Sequence, residues 1–163
     1  MRIRAGLFVV LAALVLAPGA ASSQATLGPL LAYHDDVDFG IGVALGLPVT
    51  SIEPGAGLLA DFVWFFPEGT GTDYWEINGN ATYDFPLQNS TVLPFVLAGL
   101  NIGHFSIDTG TISGGDTELG LNLGGRIEFD AGSFRPSAGL RVTLGGYEGF
   151  VLFITLPFEL GGA

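Results

Sequence analysis

The stretch Tyr-Trp-Glu-Ile-Asn-Gly-Asn-Ala-Thr-Tyr-Asp-Phe, residues 74–85, alternates between polar and apolar side chains with hardly a break. The odd positions from Trp75 to Phe85 carry apolar or small residues, and the even positions from Glu76 to Asp84 carry polar ones. Successive side chains of an extended strand point to opposite faces. This segment therefore predicts a β-strand with one apolar face and one polar face.

The same alternation recurs along the chain and predicts eight strands, separated by turns rich in Gly, Asn, Asp and Pro. The predicted strands are Leu27–His34, Phe39–Val49, Ala56–Pro67, Tyr74–Pro86, Thr91–Ile107, Thr117–Asp130, Phe134–Gly146 and Gly149–Leu160. Short links in series favour antiparallel neighbours. The chain is therefore predicted to be all-β, an eight-stranded antiparallel up-and-down barrel.

Alternation alone fits a soluble barrel with apolar residues inside, or a membrane barrel with apolar residues outside. Composition favours the membrane barrel, because 48% of residues are hydrophobic, 13% are charged, and the mean hydropathy is +0.53. Aromatic residues also gather near both ends of the strands, as bilayer interfaces select. One predicted girdle contains Tyr33, Phe39, Trp64, Phe66, Tyr74 and Trp75, and the other contains Phe85, Phe129, Phe134 and Phe158.

The N-terminus has the pattern of a secretory signal peptide. Arg2 and Arg4 precede an apolar core at Leu7–Leu16, and small residues lead up to a predicted cleavage after Ala25. A membrane anchor is less favoured, since a spanning helix needs ~20 apolar residues. We assign residues 1–25 to the signal peptide and residues 26–163 to a transmembrane barrel exported to a bacterial outer membrane.

Charge and cysteine content exclude several classes of function. Loss of Arg2 and Arg4 would change the formal net charge from -11 to -13 and leave Arg126, Arg135 and Arg141 as the strong cations. Phosphate binding needs a basic patch, so no nucleic-acid partner is expected. The absence of Cys excludes disulfides and thiolate metal sites. No cofactor and no metal are predicted.

Two strand openings resemble those of a known family. They are Leu-Pro-Phe-Val-Leu-Ala-Gly-Leu-Asn-Ile-Gly at residues 93–103 and Phe-Arg-Pro-Ser-Ala-Gly-Leu-Arg at residues 134–141. Over nearly all of its mature length the chain resembles the small eight-stranded outer-membrane β-barrel family, the OmpA/OmpX-like type. The resemblance implies a monomer that is inserted by the barrel-assembly machinery and contacts outer-membrane lipids and lipopolysaccharide.

The polar face carries charges that are expected to point into the barrel. Buried charges are costly unless paired, so they are predicted to form ion-pair networks in the lumen. The predicted network contains Asp61, Glu76, Asp84, Glu118, Arg126, Glu128, Arg135, Arg141 and Glu159. An eight-stranded lumen is filled by side chains or holds one small ligand. A non-enzymatic structural or surface barrel with a plugged lumen is therefore predicted; a narrow passive pore or a ligand-binding barrel is the alternative.

An enzyme is a third hypothesis. His104-Phe105-Ser106 with Glu118 resembles the His-x-Ser…Glu arrangement of outer-membrane lipid A deacylases, in which His activates the Ser hydroxyl and Glu orients the His. The alternation, however, predicts Glu118 on the opposite face from His104 and Ser106. Acidic loop residues could share Ca²⁺ or Mg²⁺ with lipopolysaccharide phosphates, although solvated loops explain them equally well.

Overall fold

The computed structural model describes residues 25–49, 53–69, 71–88, 90–131 and 135–160. Its strands are Ala25–His34 (β1), Asp38–Pro48 (β2), Ala56–Phe65 (β3), Thr72–Asp84 (β4), Val92–Asp108 (β5), Ser113–Phe129 (β6), Ser137–Leu144 (β7), Gly149–Thr155 (β8) and Phe158–Leu160 (β9). From β1 to β8 each strand pairs antiparallel with the next, and β1 also pairs with β8 and β9. The predicted closed, antiparallel up-and-down barrel is confirmed.

The strands β8 and β9 are two parts of one barrel strand. Leu30 pairs with Thr155 and Leu27 pairs with Phe158, so the register against β1 is the same on both sides of the interruption. Pro157 has no backbone N–H to donate to a ladder. The preceding residue, Leu156, still donates its N–H to the Pro29 carbonyl at 3.1 Å. The barrel therefore has eight strands, the last of which was predicted as continuous and is interrupted.

Other boundaries differ at the ends of strands. The strand β6 begins at Ser113, four residues earlier than predicted, and its pairing with β5 continues to Asp108 opposite Ser113. Residues 1–24, which make up all but the last residue of the predicted signal peptide, lie outside the described residues, as does Phe134. No helix in the described residues is both long and apolar enough to cross a membrane.

Burial alternates along the strands and separates an interior from an exterior. On β4, Glu76, Asn78 and Asn80 are buried. On β6, Leu121 and Leu123 are more than half exposed. Polar side chains therefore fill much of the interior, and large apolar side chains cover the outside. This is the arrangement of a membrane barrel rather than of a soluble barrel.

Gly28 lies where the barrel closes. A Cβ atom at this position would overlap the carbonyl group of Leu156 and would lie 2.5 Å from the Cα atom of Pro157. Only a residue without a side chain lets β1 approach the interrupted last strand this closely. The sequence thus places a glycine at a close backbone approach in the seam between the first and last strands.

Candidate functional site: the barrel lumen

Three charged side chains meet across the lumen. The Arg141 guanidinium on β7 donates from Nη1 to both Asp61 carboxylate oxygens, at 3.2 and 3.1 Å, and from Nη2 to Glu76 Oε2 at 2.8 Å. Asp61 lies on β3 and Glu76 on β4, and all three side chains are at most 2% exposed. One guanidinium thus links two carboxylates on the far side of the barrel. We call these three residues the central cluster.

Asparagine side chains extend the central cluster around the lumen wall. Asn78 donates to Asp61 Oδ1 at 2.8 Å, and its own carbonyl oxygen accepts from Asn101 and Asn122, each at 2.8 Å. Asn122 also donates to Asn80 Oδ1 at 3.0 Å and accepts from the Thr143 hydroxyl at 3.0 Å. A carboxamide both donates and accepts, so these residues relay hydrogen bonds between strands without adding charge.

Buried aromatic residues pack together in the interior at one end of the barrel. We call this the loop end; it carries the links at residues 35–37, 66–71, 109–112 and 145–148. The buried His34 ring packs edge-on against Phe65 and Tyr74, with ring centroids 5.8 Å away in each case. His34 Nδ1 accepts from the Asp36 N–H at 3.1 Å, and Nε2 lies 3.9 Å from Glu76 Oε1.

Sequence reasoning placed His34 at the end of the first predicted strand but missed it as an interior residue. The available signal was the alternation of β1, in which Leu30, Ala32 and His34 share the buried face. Tyr74 was predicted in the outer aromatic girdle, and that prediction is wrong. It is 1% exposed, and its hydroxyl donates to Glu76 Oε1 at 2.9 Å. Its position next to the outward Trp75 forces it to point inward.

Tyr147, on the link between β7 and β8, covers the interior at the loop end. Its ring meets the Tyr74 ring edge-on at 5.5 Å, and its hydroxyl donates to the Asp116 carbonyl at 3.3 Å. Burial, together with the Asp116 and Glu118 carboxylates, raises the pKa of Tyr147, so the phenol stays protonated. Glu118 was predicted in the ion-pair network, but among the described residues it has no ion pair and lies beside this link instead.

A second charged group, which we call the turn-end cluster, lies at the opposite end of the barrel. Glu128 lies 3.5 Å from Arg126 Nη2 and 3.8 Å from Arg135 Nη1, and Arg135 Nη2 lies 3.5 Å from Glu159. The Arg126 guanidinium also stacks over the Phe95 ring at 4.4 Å. Asp84 ends β4 at this same end. These contacts are longer than those of the central cluster, and Arg135 and Glu159 are partly exposed.

The nine charges that the sequence predicted in one lumen network therefore occupy different places. Asp61, Glu76 and Arg141 form the central cluster. Four others form the turn-end cluster, with Asp84 at the same end and Glu118 at the loop end.

The remaining described members of the two girdles lie on the outside of the barrel. Tyr33, Phe39, Trp64, Phe66 and Trp75 lie toward the loop end, and Phe85, Phe129 and Phe158 lie toward the other end. The Tyr33 and Phe39 rings are in contact at a centroid distance of 5.1 Å. Tyr83 packs against Phe85 at the same distance and was not predicted as a girdle residue. Their role at a bilayer interface stays a prediction.

The residues of the enzyme hypothesis do not come together. His104 is on the outer face of β5, where it stacks on Trp75 with ring centroids 5.1 Å apart and its Nδ1 lies 2.7 Å from the Thr117 hydroxyl. Glu118 follows Thr117 on β6 and points to the other face. A base oriented by a carboxylate is therefore not assembled here. The described residues contain no group of three or more His, Asp or Glu side chains placed to hold a metal ion.

Comparison with known proteins identifies solved structures with a similar architecture. No protein-family model and no curated protein sequence match the chain. Its fold is similar to the N-terminal β-barrel domain of Pseudomonas aeruginosa OprF, with a TM-score of 0.71 and 15% identity, over 85% of this chain and 100% of that one. It is also similar to Neisserial surface protein A, with a TM-score of 0.56 and 19% identity, over 84% of this chain and 92% of that one. A third similar structure is Ail, the attachment invasion locus protein of Yersinia pestis, with a TM-score of 0.61 and 17% identity, over 84% of this chain and 95% of that one. The chain therefore has the fold of the small eight-stranded outer-membrane β-barrels, the OmpA/OmpX-like type.

Proposed function

We propose that this protein is a non-enzymatic structural or surface barrel of the bacterial outer membrane, with a lumen closed by its own side chains. The observation that carries the proposal is the central cluster. Arg141 reaches across the lumen to Asp61 and Glu76, and all three are buried together with the surrounding asparagines. An eight-stranded barrel leaves room for little beyond its own side chains.

The outer surface supports the membrane location. Large apolar side chains cover the strands, with aromatic residues toward both ends. In hydrocarbon an open sheet edge would leave backbone groups unpaired, and closure of β1 onto β8 and β9 removes that edge. As for partners, we propose outer-membrane lipids and lipopolysaccharide around a monomer, and the barrel-assembly machinery during insertion.

Two measurements on the refolded mature protein test the proposal. On a gel, the unheated protein should migrate faster than the boiled protein, as a closed barrel resists unfolding by detergent. In a planar bilayer, it should show no steady conductance steps. Steady, reproducible steps would support the passive pore instead, and a water-soluble protein without a gel shift would contradict the membrane barrel.

The enzyme hypothesis is tested in the same preparation. The separation of Glu118 from His104 and Ser106 on opposite faces predicts no release of fatty acid from lipopolysaccharide. Release by the wild type that is lost in a Ser106→Ala variant would overturn the non-enzymatic assignment.

A further inference from the structure

Between the two charged clusters the lumen contains a layer of apolar side chains, which we call the apolar layer. It consists of Leu30, Ala44, Leu59, Leu97 and Phe153, each at most 4% exposed. They come from β1, β2, β3, β5 and β8 and form the part of a larger buried hydrophobic group that lies between the two clusters; the same group continues past the central cluster to Phe65 and Tyr74 at the loop end. Five of the eight barrel strands thus bring an apolar side chain into the layer.

Phe153 shows where the apolar layer lies relative to the charges. Its ring centroid is 5.9 Å from the guanidinium carbon of Arg141, which belongs to the central cluster. On the other side, a Cβ atom at Gly139 would lie 2.5 Å from Phe153 Cζ and 2.7 Å from Arg126 Cβ. The Phe153 ring therefore lies close to Arg141 on one side and to the Gly139 position beside Arg126 on the other. The two arginines pair with different carboxylates.

Two other strands also place a member of the apolar layer beyond an inward polar residue. On β3, Leu59 is the next inward residue after Asp61 in the direction away from the loop end. On β5, Leu97 lies between the inward Asn101, which bonds to Asn78, and Phe95, which stacks with Arg126. On both strands a polar residue of the central cluster or its asparagines therefore precedes the apolar side chain in the direction away from the loop end, and on β5 the contact between Phe95 and Arg126 follows it.

The three strands that contribute no member to the apolar layer do not bring charge to its level. On β6 and β7 the inward positions are Gly124 and Gly139, which have no side chain. On β4 the inward residue is Asn80, a neutral carboxamide that accepts a hydrogen bond from Asn122. An ion at this level would therefore exchange its water shell mainly for hydrocarbon.

We infer that, within the side chains that fill the lumen, the apolar layer is the main barrier to ion permeation, and that the ion pairs on either side fill space and support the barrel without being the barrier to ions. This inference rests on the proposed function as a closed barrel. An apolar constriction stops ions because the ion must lose its hydration and gains no charged or polar partner. Charged side chains, in contrast, can solvate an ion and be solvated themselves.

The experiment compares two variants in planar bilayers. In the first, Leu59→Asn with Leu97→Asn makes the apolar layer polar while keeping the branching and the number of heavy atoms of each side chain. In the second, Asp61→Asn, Glu76→Gln and Arg141→Met remove the charges of the central cluster together. We expect the first variant to pass at least about tenfold more current than the wild type, equivalent to ~1.4 kcal/mol of barrier. The charge-free variant should stay closed, as should Leu59→Val with Leu97→Val, which keeps the layer apolar.

The outcomes separate this inference from the proposed function. If the charge-free variant conducts and the asparagine variant stays closed, the ion pairs are the barrier and the inference is wrong. If the wild type itself conducts steadily, the closed-barrel proposal fails. Folding of every variant is checked by the heat-dependent gel shift. If the double asparagine variant lacks the shift, the single variants Leu59→Asn and Leu97→Asn are measured, and folded single variants without current would overturn the inference.

Discussion

Asp61 and Arg141 meet in the lumen although 80 residues separate them in the sequence, and Arg141 Nη1 lies 3.2 and 3.1 Å from the two carboxylate oxygens. The same guanidinium binds Glu76 through Nη2 at 2.8 Å. Two buried carboxylates on adjacent strands thus depend on one cation from the far side of the barrel. Among the described residues, removing that cation leaves both of them without an arginine partner at this distance.

The substitution Arg141→Met should therefore destabilise the barrel strongly. Breaking a buried ion pair by removing one partner costs about 3–5 kcal/mol, because the remaining charge is buried and uncompensated. The free energy of unfolding, measured by denaturant titration in lipid vesicles, should fall by about that amount.

Arg135→Met is the matched control. The Arg135 side chain is 40% exposed and its ion-pair contacts are 3.5 to 3.8 Å long. Exposed ion pairs contribute less than about 1 kcal/mol. Equal losses in the two variants would contradict the special position of the central cluster.

Gly28→Ala should impair closure of the barrel. The added methyl group would overlap the backbone of the last strand at Leu156 and Pro157. We expect a smaller heat-shifted fraction after refolding and a lower unfolding midpoint. The control is Gly79→Ala, since a Cβ atom at Gly79 meets nothing within 4 Å. If both variants refold equally well, the close approach in the seam does not matter.

The substitution Leu121→Arg tests whether the outer surface faces lipid. Leu121 is 56% exposed on the middle part of β6. An arginine at the bilayer midplane costs about 2–4 kcal/mol, whereas near the interface the cost falls to about 0–1 kcal/mol. The unfolding free energy in vesicles should show the larger loss for Leu121→Arg. Ile112→Arg, at the exposed tip of the link between β5 and β6, should change it little.

Asn122→Leu should weaken the hydrogen-bond relay around the lumen. Its side-chain amide donates to the carbonyl oxygens of Asn78 and Asn80, and its oxygen accepts from Thr143. Leaving buried polar groups without partners costs about 1–3 kcal/mol. The same unfolding titration measures the loss. Gln88→Leu, at an exposed position between β4 and β5, should stay within about 0.5 kcal/mol of the wild type.

The barrel could be predicted from the sequence because its deciding signal is local. Alternation with a period of two residues reports both the strand and its two faces, and Gly- and Asp-rich links report the turns. The interruption at Pro157 was visible as a residue type, but its effect was not, because it depends on the pairing of β8 and β9 with β1. Likewise, the early start of β6 depends on its pairing with β5.

The lumen was harder to predict because its contacts join distant strands. The sequence identified Asp61, Glu76 and Arg141 as inward charges, but only the register of the closed barrel brings them together. Composition also misled where it was followed instead of the alternation. Tyr74 was assigned to the girdle as an aromatic residue, although it lies on the buried face of its strand. His34, at the end of the first predicted strand, was given no interior role, although it is buried as well.

Pairing of Leu27 with Phe158 has a consequence for how the chain acquires its structure. The segments that complete the barrel come from the two ends of the described chain, so their pairing has the largest sequence separation of any strand pair in the fold. Until they meet, β1 and the last strand are both open edges, which in hydrocarbon carry unpaired backbone groups. Folding should thus be strongly cooperative, with insertion and closure coupled, and a chain truncated before β8 should aggregate rather than form a smaller barrel.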